Sequence, residues 1–488
     1  MSSETNATLG EGMSSLRIGE TVHELVEIRA TGDVILDVTF ENTNACTKSI
    51  PGDLIQQLRT SKTPITSSQV FYRVHLNTLK KHSKYFQHLL GSDAFGEGRL
   101  VATKLTELSQ ANIKLSEAEP NQLPRITIVD EDDATRTIGR EVVFRDLLNI
   151  IHGARHASPS KHITVTYMGV LVVLADRFDC ISLVTPYLTG TGPLAKFKYP
   201  STYGVEKSAE EVLRQKILIF YFTNQSAKLV SATKELIIRG SYQWTEYGLN
   251  SPVTSATWWD LPDSLEAELS HRRSRIIQTI ASLQTHFLSL YTSRIRQCTL
   301  GYDSSAACDS YQLGEMVKFF TNKDLLSLVP ISATNPEDPE YIWPDAYSGD
   351  IEGLIGILRQ CPSYQIDKNH SHCGLRTRLL PVLDYIQNCI ETGTGINASL
   401  WKTDRPSRTW IQEKATKGNR RKAFVVDDKE VGVEKRIFEF KGRNALRFNS
   451  MGSEKLAREL FTADSWNWSA IREEEPLRLP KTSPSLRF

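Results

Sequence analysis

Two periods govern the hydrophobic positions of this chain, and the point where one gives way to the other is its first landmark. Residues 32–38 read Gly-Asp-Val-Ile-Leu-Asp-Val, a β-branched run that suits a pleated, half-buried strand. From Val70 the apolar residues alternate through Tyr72 and Val74, then recur at Leu79, Phe86 and Leu90. A strand period therefore passes into a helical one at His75. A further strand is expected at 125–129, followed by the acidic turn 130–133. Over 136–151, Ile138, Val142, Val143, Leu147, Leu148 and Ile151 fall at three- and four-residue spacing, the stripe of an amphipathic helix. Gly153 is placed to end it in the left-handed conformation. Two more helices follow at 168–178 and 180–188.

The later part of the chain reads as helical. Dense apolar residues cover 213–238, and 262–296 reads as one long helix with Leu265, Leu269, Ile276, Ile280, Leu283, Phe287, Leu290 and Ile295 on a face. Asp263 and Glu266 have the spacing of a capping box at its start. Helices are expected at 312–320, 351–359 and 375–389, with Pro381 kinking the last or marking its first turn. Residues 425–440 read as a β-hairpin turning at Asp427-Asp428 or near Gly432. No fixed-period repeat is present.

With 488 residues the chain exceeds the usual size of one hydrophobic core. Its 58 basic and 57 acidic residues leave a net charge of +1, which provides no global attraction to nucleic acid or anionic lipid. Residues 1–24 and 471–488 are polar and are expected to be disordered. The polar start lacks the apolar core of a signal peptide, and the longest apolar run, 167–175, is too short to span a bilayer. Seven widely spaced cysteines suit free thiols in a reducing compartment. A cytoplasmic or nuclear location, with no membrane association, is the expectation.

The landmark at His75 supports a family resemblance. Asp33, Val34, Phe71, Val74, His75, Leu79, Ser83, Tyr85 and Phe86, followed much later by Ala175 and Asp176, resemble the signature of a BTB/POZ domain. The resemblance covers roughly 25–190, with insertions at about 46–69 and 91–124, and His152 stands where the family has an aromatic residue. It implies an α+β protein whose BTB/POZ-like domain precedes a mainly helical domain at 205–470, with a small β-hairpin. One core holding Leu36, Phe71, Val74, Leu79, Phe86, Leu147, Leu174 and Phe178 is then expected. Residues 297–309, 312–320 and 365–376 resemble segments that follow the BTB domain in proteins of filamentous fungi. The implied function is a protein-interaction scaffold or adaptor, not an enzyme. The implied partners are other proteins, a second copy of the chain or a cullin-type ubiquitin ligase. The alternative is a transcriptional or chromatin-associated regulator using the basic run 414–422.

Candidate chemistry is sparse. No phosphate loop, nucleophile elbow, dinucleotide fingerprint or His-Glu-x-x-His occurs. The basic run Lys414, Lys417, Arg420, Arg421, Lys422 lacks interleaved aromatics, so nucleic-acid binding is not expected. Trp258-Trp259 reads as a packing anchor. Asp33 and His75 read as groups that cap helices and fix strand ends. The one set of residue types suited to a metal is Cys298, Cys308, His370 and Cys373, with Cys361 and His372 nearby. Thiolates and imidazoles are the ligands zinc prefers, yet the spacing fits no standard finger. Buried free cysteines are the plainer reading, and Asp303, Asp309 and Asp367 read as turn residues or supports of such a site.

Overall fold

The structure, a computed structural model, describes residues 14–18, 21–41, 67–91, 95–130, 139–153, 163–189, 194, 207–244, 256–298, 300, 303, 305–325, 347, 349–370, 373–411, 436–440 and 453–468. It is a mixed α+β protein, mostly helical, with a small sheet. The described residues fall into two compact units, drawn from Met1–Gln225 with Pro252–Leu261 and from Ser226–Ser251 with Pro262–Phe488.

The first unit is built on β1 (Ser14–Ile18), β2 (Thr21–Glu27), β3 (Val34–Glu41), β4 (Ser67–Val74) and β5 (Arg125–Asp130), in the order β1-β2-β4-β3-β5. The expected strands pair antiparallel, Val34 opposite Val74 and Val38 opposite Val70. On either side β2 joins β4 and β5 joins β3, both in parallel. The expectation that residues 1–24 are disordered fails for 14–18 and 21–24, because β1 and β2 form an antiparallel pair there. Main-chain hydrogen bonds hold such a pair, so no apolar run announces it. At Gly32 the chain passes so close to β4 that an added Cβ would lie 2.7 Å from the Val74 carbonyl oxygen. Any larger residue there would force the two segments apart.

Helices α1 (Leu76–His82), α2 (Lys84–Gly91), α3 (Gly96–Gln110), α4 (Arg140–Ile151), α5 (Val165–Arg177) and α6 (Ile181–Leu188) complete most of the unit. Directly paired residues share a sheet face, so Leu36, Tyr72, Val74 and Ile126 lie on one side and Ile35 and Phe71 on the other. The first side meets the helices through a run of rings. Phe144 stands 5.2 Å from Tyr72 and 5.5 Å from Phe178, and Phe178 stacks on Phe86 at 5.4 Å. Phe71 is therefore not in the core expected for it. It packs with Leu25, Ile35, Leu108, Ala118 and Leu123. The second insertion supplies much of that cover: 91–124 contains the helix α3, which sequence periodicity missed because its buried residues are only Gly98, Val101 and Leu108. The first insertion lies almost wholly outside the described residues.

Several charged groups buried in this unit are paired. Arg140 and Asp130, both buried, meet at 3.0 Å, and Arg177 donates to Asp130 at 3.0 Å. Helix α4 ends as expected, with Gly153 at φ +72°. Helix α7 (Lys207–Phe222) also belongs to this unit, although 205 onward was expected to form the second domain. Its Gln215 accepts a hydrogen bond from Thr166 of α5 at 3.1 Å. Its buried Arg214 lies 4.9 Å from the Trp259 ring, and Trp258 donates its indole N–H to Glu211 at 3.2 Å. The Trp pair anchors packing, as its composition suggested.

The second unit contains α8 (Ser226–Arg239), α9 (Leu265–Thr292), α10 (Ser305–Asn322), α11 (Ile351–Arg359), α12 (Leu375–Gly393), α13 (Ala398–Arg408) and α14 (Ser453–Phe461). The dense apolar stretch 213–238 is carried by two helices, parted at Thr223–Gln225 with Asn224 left-handed at φ 54°. Helix α9 carries a buried Glu268–Arg272 pair at 2.7 Å, and Arg272 caps the Thr394 carbonyl at 2.8 Å. The helix starts one residue later than the expected capping box requires: its N-cap is Ser264, left-handed at φ 62° and without a side-chain cap, and Asp263 before it is left-handed at φ 54°. The helix also stops at Thr292, leaving Ile295 70% exposed rather than on the buried face. Pro381 lies within α12. Most of the expected hairpin, 425–435, lies outside the described residues; in its described end β6 (Ile437–Glu439) pairs in parallel with β7 (Ser465–Asn467). No helix among the described residues is long and apolar enough to cross a membrane.

Candidate metal centre

Four of the sequence candidates converge within the second unit. Cys298 lies in irregular chain after α9, Cys308 in the first turn of α10, His370 at the end of a 3-10 turn and Cys373 just before α12. The three sulfurs and a ring nitrogen all lie within 4.8 Å of one another. Cys298 Sγ is 3.7 Å from Cys373 Sγ and 3.4 Å from His370 Nδ1, and Cys373 Sγ is 3.8 Å from that nitrogen. Cys298, Cys308 and His370 are buried and Cys373 is half-buried. This is a cluster able to hold a metal ion. Cys361 is buried but lies outside the group, and His372 lies outside the described residues.

Supporting contacts fix the ligands from several directions. The main-chain N–H groups of Gln297 and Cys298 donate to the Asp309 carboxylate at 2.6 and 2.8 Å, locking the Cys298 loop onto α10. Asp309 is thus a support of the site rather than a simple turn residue. Asp367 receives the Asn369 N–H at 2.7 Å and faces Nε2 of His370 at 3.8 Å, on the ring edge away from the sulfurs. A carboxylate behind a ligand histidine orients the ring and its tautomer. Asp303 is exposed. Sequence reasoning missed Ser305, Tyr291 and Arg378. Ser305 Oγ lies 3.4 Å from Cys298 Sγ, Tyr291 donates its hydroxyl to the Cys373 carbonyl at 3.1 Å, and Arg378 grips Gln297 by two contacts of 3.2 Å. Their positions next to Cys308, on α9 and on α12 carry no local motif, so only the fold gathers them.

The electrostatics follow from crowding three thiols in one buried place. Burial raises the Cys298 thiol, but hydrogen bonds with Ser305, Leu300, Cys373 and His370 outweigh it and bring the group down to about 7. Burial, together with the neighbouring sulfurs Cys373 and Cys298, pushes Cys308 up to about 12. Cys373 is also raised, by burial first and then by Cys298. One thiolate forms readily and opposes the next, an opposition that a bound cation removes.

The other signature residues lie in the first unit and serve its architecture. Asp33 accepts the Leu76 N–H at 2.7 Å and so caps α1, while its own N–H reaches the Val74 carbonyl at 3.0 Å. His75 holds the cap position without a side-chain cap; its N–H donates to Nε2 of His152 at 3.1 Å, and its ring meets Thr31 Oγ1 at 3.2 Å. Nδ1 of His152 faces the Leu148 carbonyl at 2.8 Å, so this imidazole is neutral with its proton on Nδ1. Burial depresses its pKa below 6.5. Ser83 donates to the Phe178 carbonyl at 2.6 Å and accepts the Phe86 N–H at 3.2 Å. Leu79, Phe86 and Ala175 are fully buried, while Tyr85 and Asp176 are exposed. No family model, curated protein or solved structure matches this chain.

Proposed function

We propose that this chain is a non-enzymatic protein-interaction scaffold whose second unit is closed by a structural zinc ion. The observation that carries this reading is the convergence of Cys298, Cys308, His370 and Cys373 on one point. Tetrahedral zinc, with Zn–S near ~2.3 Å and Zn–N near ~2.0 Å, requires S–S edges of about 3.8 Å and S–N edges of about 3.5 Å. The 3.7, 3.4 and 3.8 Å separations match those edges. Four protein donors leave no open position for water or substrate, which favours a structural over a catalytic ion. Thiolate softness favours zinc over magnesium or calcium. Such an ion joins the α9–α10 connection to the chain leading into α12, two segments separated by more than sixty residues.

The scaffold part of the proposal rests on the first unit, read as a BTB/POZ-type domain. The pairing of 34–38 with 70–74 and the use of Asp33 and Ser83 as caps support it. Its partners are then other proteins, among them a second copy of the chain or a cullin-type ligase. The alternative regulator reading depends on 414–422, which lies outside the described residues, so no observation favours it.

Elemental analysis of the purified full chain tests the zinc part, with about one zinc per chain expected for a single four-ligand site. A value well below that sinks it. Pull-downs with the full chain and with a chain lacking 30–190 test the scaffold part, partners being expected only with the former. Light scattering tests self-association, and a mass of 55.0 kDa at micromolar concentration argues against it.

A further inference from the structure

We propose that this centre is also a peroxide-responsive thiol switch, in which Cys298 and Cys373 join as a disulfide and release the ion. The inference rests on the zinc reading above. It is carried by an asymmetry among the four ligands. Cys308 and His370 are fully buried, and Cys308 is fixed within a helix. Cys373 alone is half-buried, and it lies in irregular chain just ahead of α12. Cys298, whose sulfur lies 3.7 Å from that of Cys373, is likewise outside any helix. These two sulfurs must close to ~2.05 Å to bond, and neither has to unwind a helix to do so.

The oxidant is hydrogen peroxide. Cys373 Sγ attacks one peroxide oxygen, the O–O bond breaks, and the departing hydroxide takes a proton and leaves as water. The resulting sulfenic acid is attacked by Cys298 Sγ. An S–S bond forms, the S–O bond breaks, and a second hydroxide leaves as water after protonation. The two sulfurs together give up two electrons, which reduce one peroxide to two waters. The ion loses two of its four donors, and Cys308 with His370 retains only a weak two-ligand site. Arg378 and Tyr291, which fix the chain at Gln297 and Cys373, keep both sulfurs in reach while this occurs.

The test uses the purified, zinc-loaded full chain treated with hydrogen peroxide in the presence of a chromogenic zinc chelator, followed by peptide mapping without reduction. The expected result is one zinc released per chain, a linked Cys298–Cys373 peptide pair and recovery of zinc binding after a dithiol reductant. A second arm uses Cys373→His, which keeps a donor at that position while removing the sulfur; its release is expected to be at least tenfold slower. Zinc retained with all thiols intact under excess peroxide overturns the switch while leaving the structural ion standing. A linkage that involves Cys308, or only irreversible sulfinic and sulfonic acids, also overturns it. A chain purified without zinc overturns the reading beneath it as well. Should the variant fail to hold zinc, the mapping on the unaltered chain decides alone.

Discussion

The two units deal with buried polarity in different ways. In the first, each buried polar group named above meets a protein partner of matching character: Asp130 meets Arg140 and Arg177, Asp33 meets the open end of α1, and Ser83 bridges α2 and the Phe178 carbonyl. Such groups cost little once paired, and an unpaired one costs about 1–3 kcal/mol. The second unit does the same with Glu268 and Arg272, but it also gathers three thiols and an imidazole in one group able to hold a metal ion. Thiols can stay neutral, so the cluster need not unfold the unit. On the zinc reading it reaches full coordination by taking a cation from outside the chain. The named groups of the first unit are then matched by protein partners, and the cluster of the second would be matched by an ion.

That contrast is most exposed to chelation. Removing zinc is expected to lower the stability of the second unit by about 4 kcal/mol where free zinc stood a thousandfold above its dissociation constant. Differential scanning calorimetry with and without a strong chelator checks this. Two superposed traces would remove the proposed difference between the units.

Next in size is the reciprocal experiment. Phe86 is fully buried and stacked on Phe178, so Phe86→Ala is expected to cost the first unit roughly 3–5 kcal/mol. Zinc content is expected to stay unchanged, and denaturant unfolding alongside metal analysis reads both. Loss of zinc from this variant would mean that the two units are not independent.

A smaller effect is expected from the cap. Asp33→Ala leaves the Leu76 N–H without its acceptor and is expected to cost about 1 kcal/mol. A matched Asp33→Asn variant, which keeps an acceptor oxygen, is expected to recover most of it. Equal losses in the two variants would argue for a charge effect instead.

The smallest effect is in pH. His152 is neutral in the folded unit, and burial, with Arg29 and His75 nearby, depresses its pKa below 6.5. In the unfolded chain it takes up a proton near 6.5, so stability is full above that pH and falls as the pH drops from 6.5 to the lower folded value. Thermal melts of the first unit between pH 7.5 and about 5 are expected to show this slope. His152→Gln should flatten it. An unchanged slope would place the titration elsewhere.

Where side chains repeat with the period of the element, the sequence was enough. The strands at 34–38 and 70–74 and the stripe ending at Ile151 were legible because burial on one face imposes alternation or three-to-four spacing, and Gly153 because a left-handed residue commonly ends a helix. Helix α3 was not legible, since it buries too few apolar residues to write a stripe. The capping box at Asp263 had the right residues, but two consecutive left-handed residues precede the helix and shift its N-cap to Ser264, out of register with that box.

For the candidate centre, residue type was visible and position was not. Cysteine and histidine are recognisable as soft donors in any sequence, and Cys298, Cys308, His370 and Cys373 could be named from their identity alone. Their distances belong to another level. Cys298 and Cys373 are 75 residues apart, and no local rule of spacing fixes where two loops end. The packing of α9, α10 and α12 decides it, together with Asp309, Tyr291 and Arg378 holding the loops by hydrogen bonds. Local periodicity is set by the geometry of a single helix or strand, which the sequence carries in full. Convergence is set by the sum of many weak contacts between elements, and only the tertiary structure performs that sum.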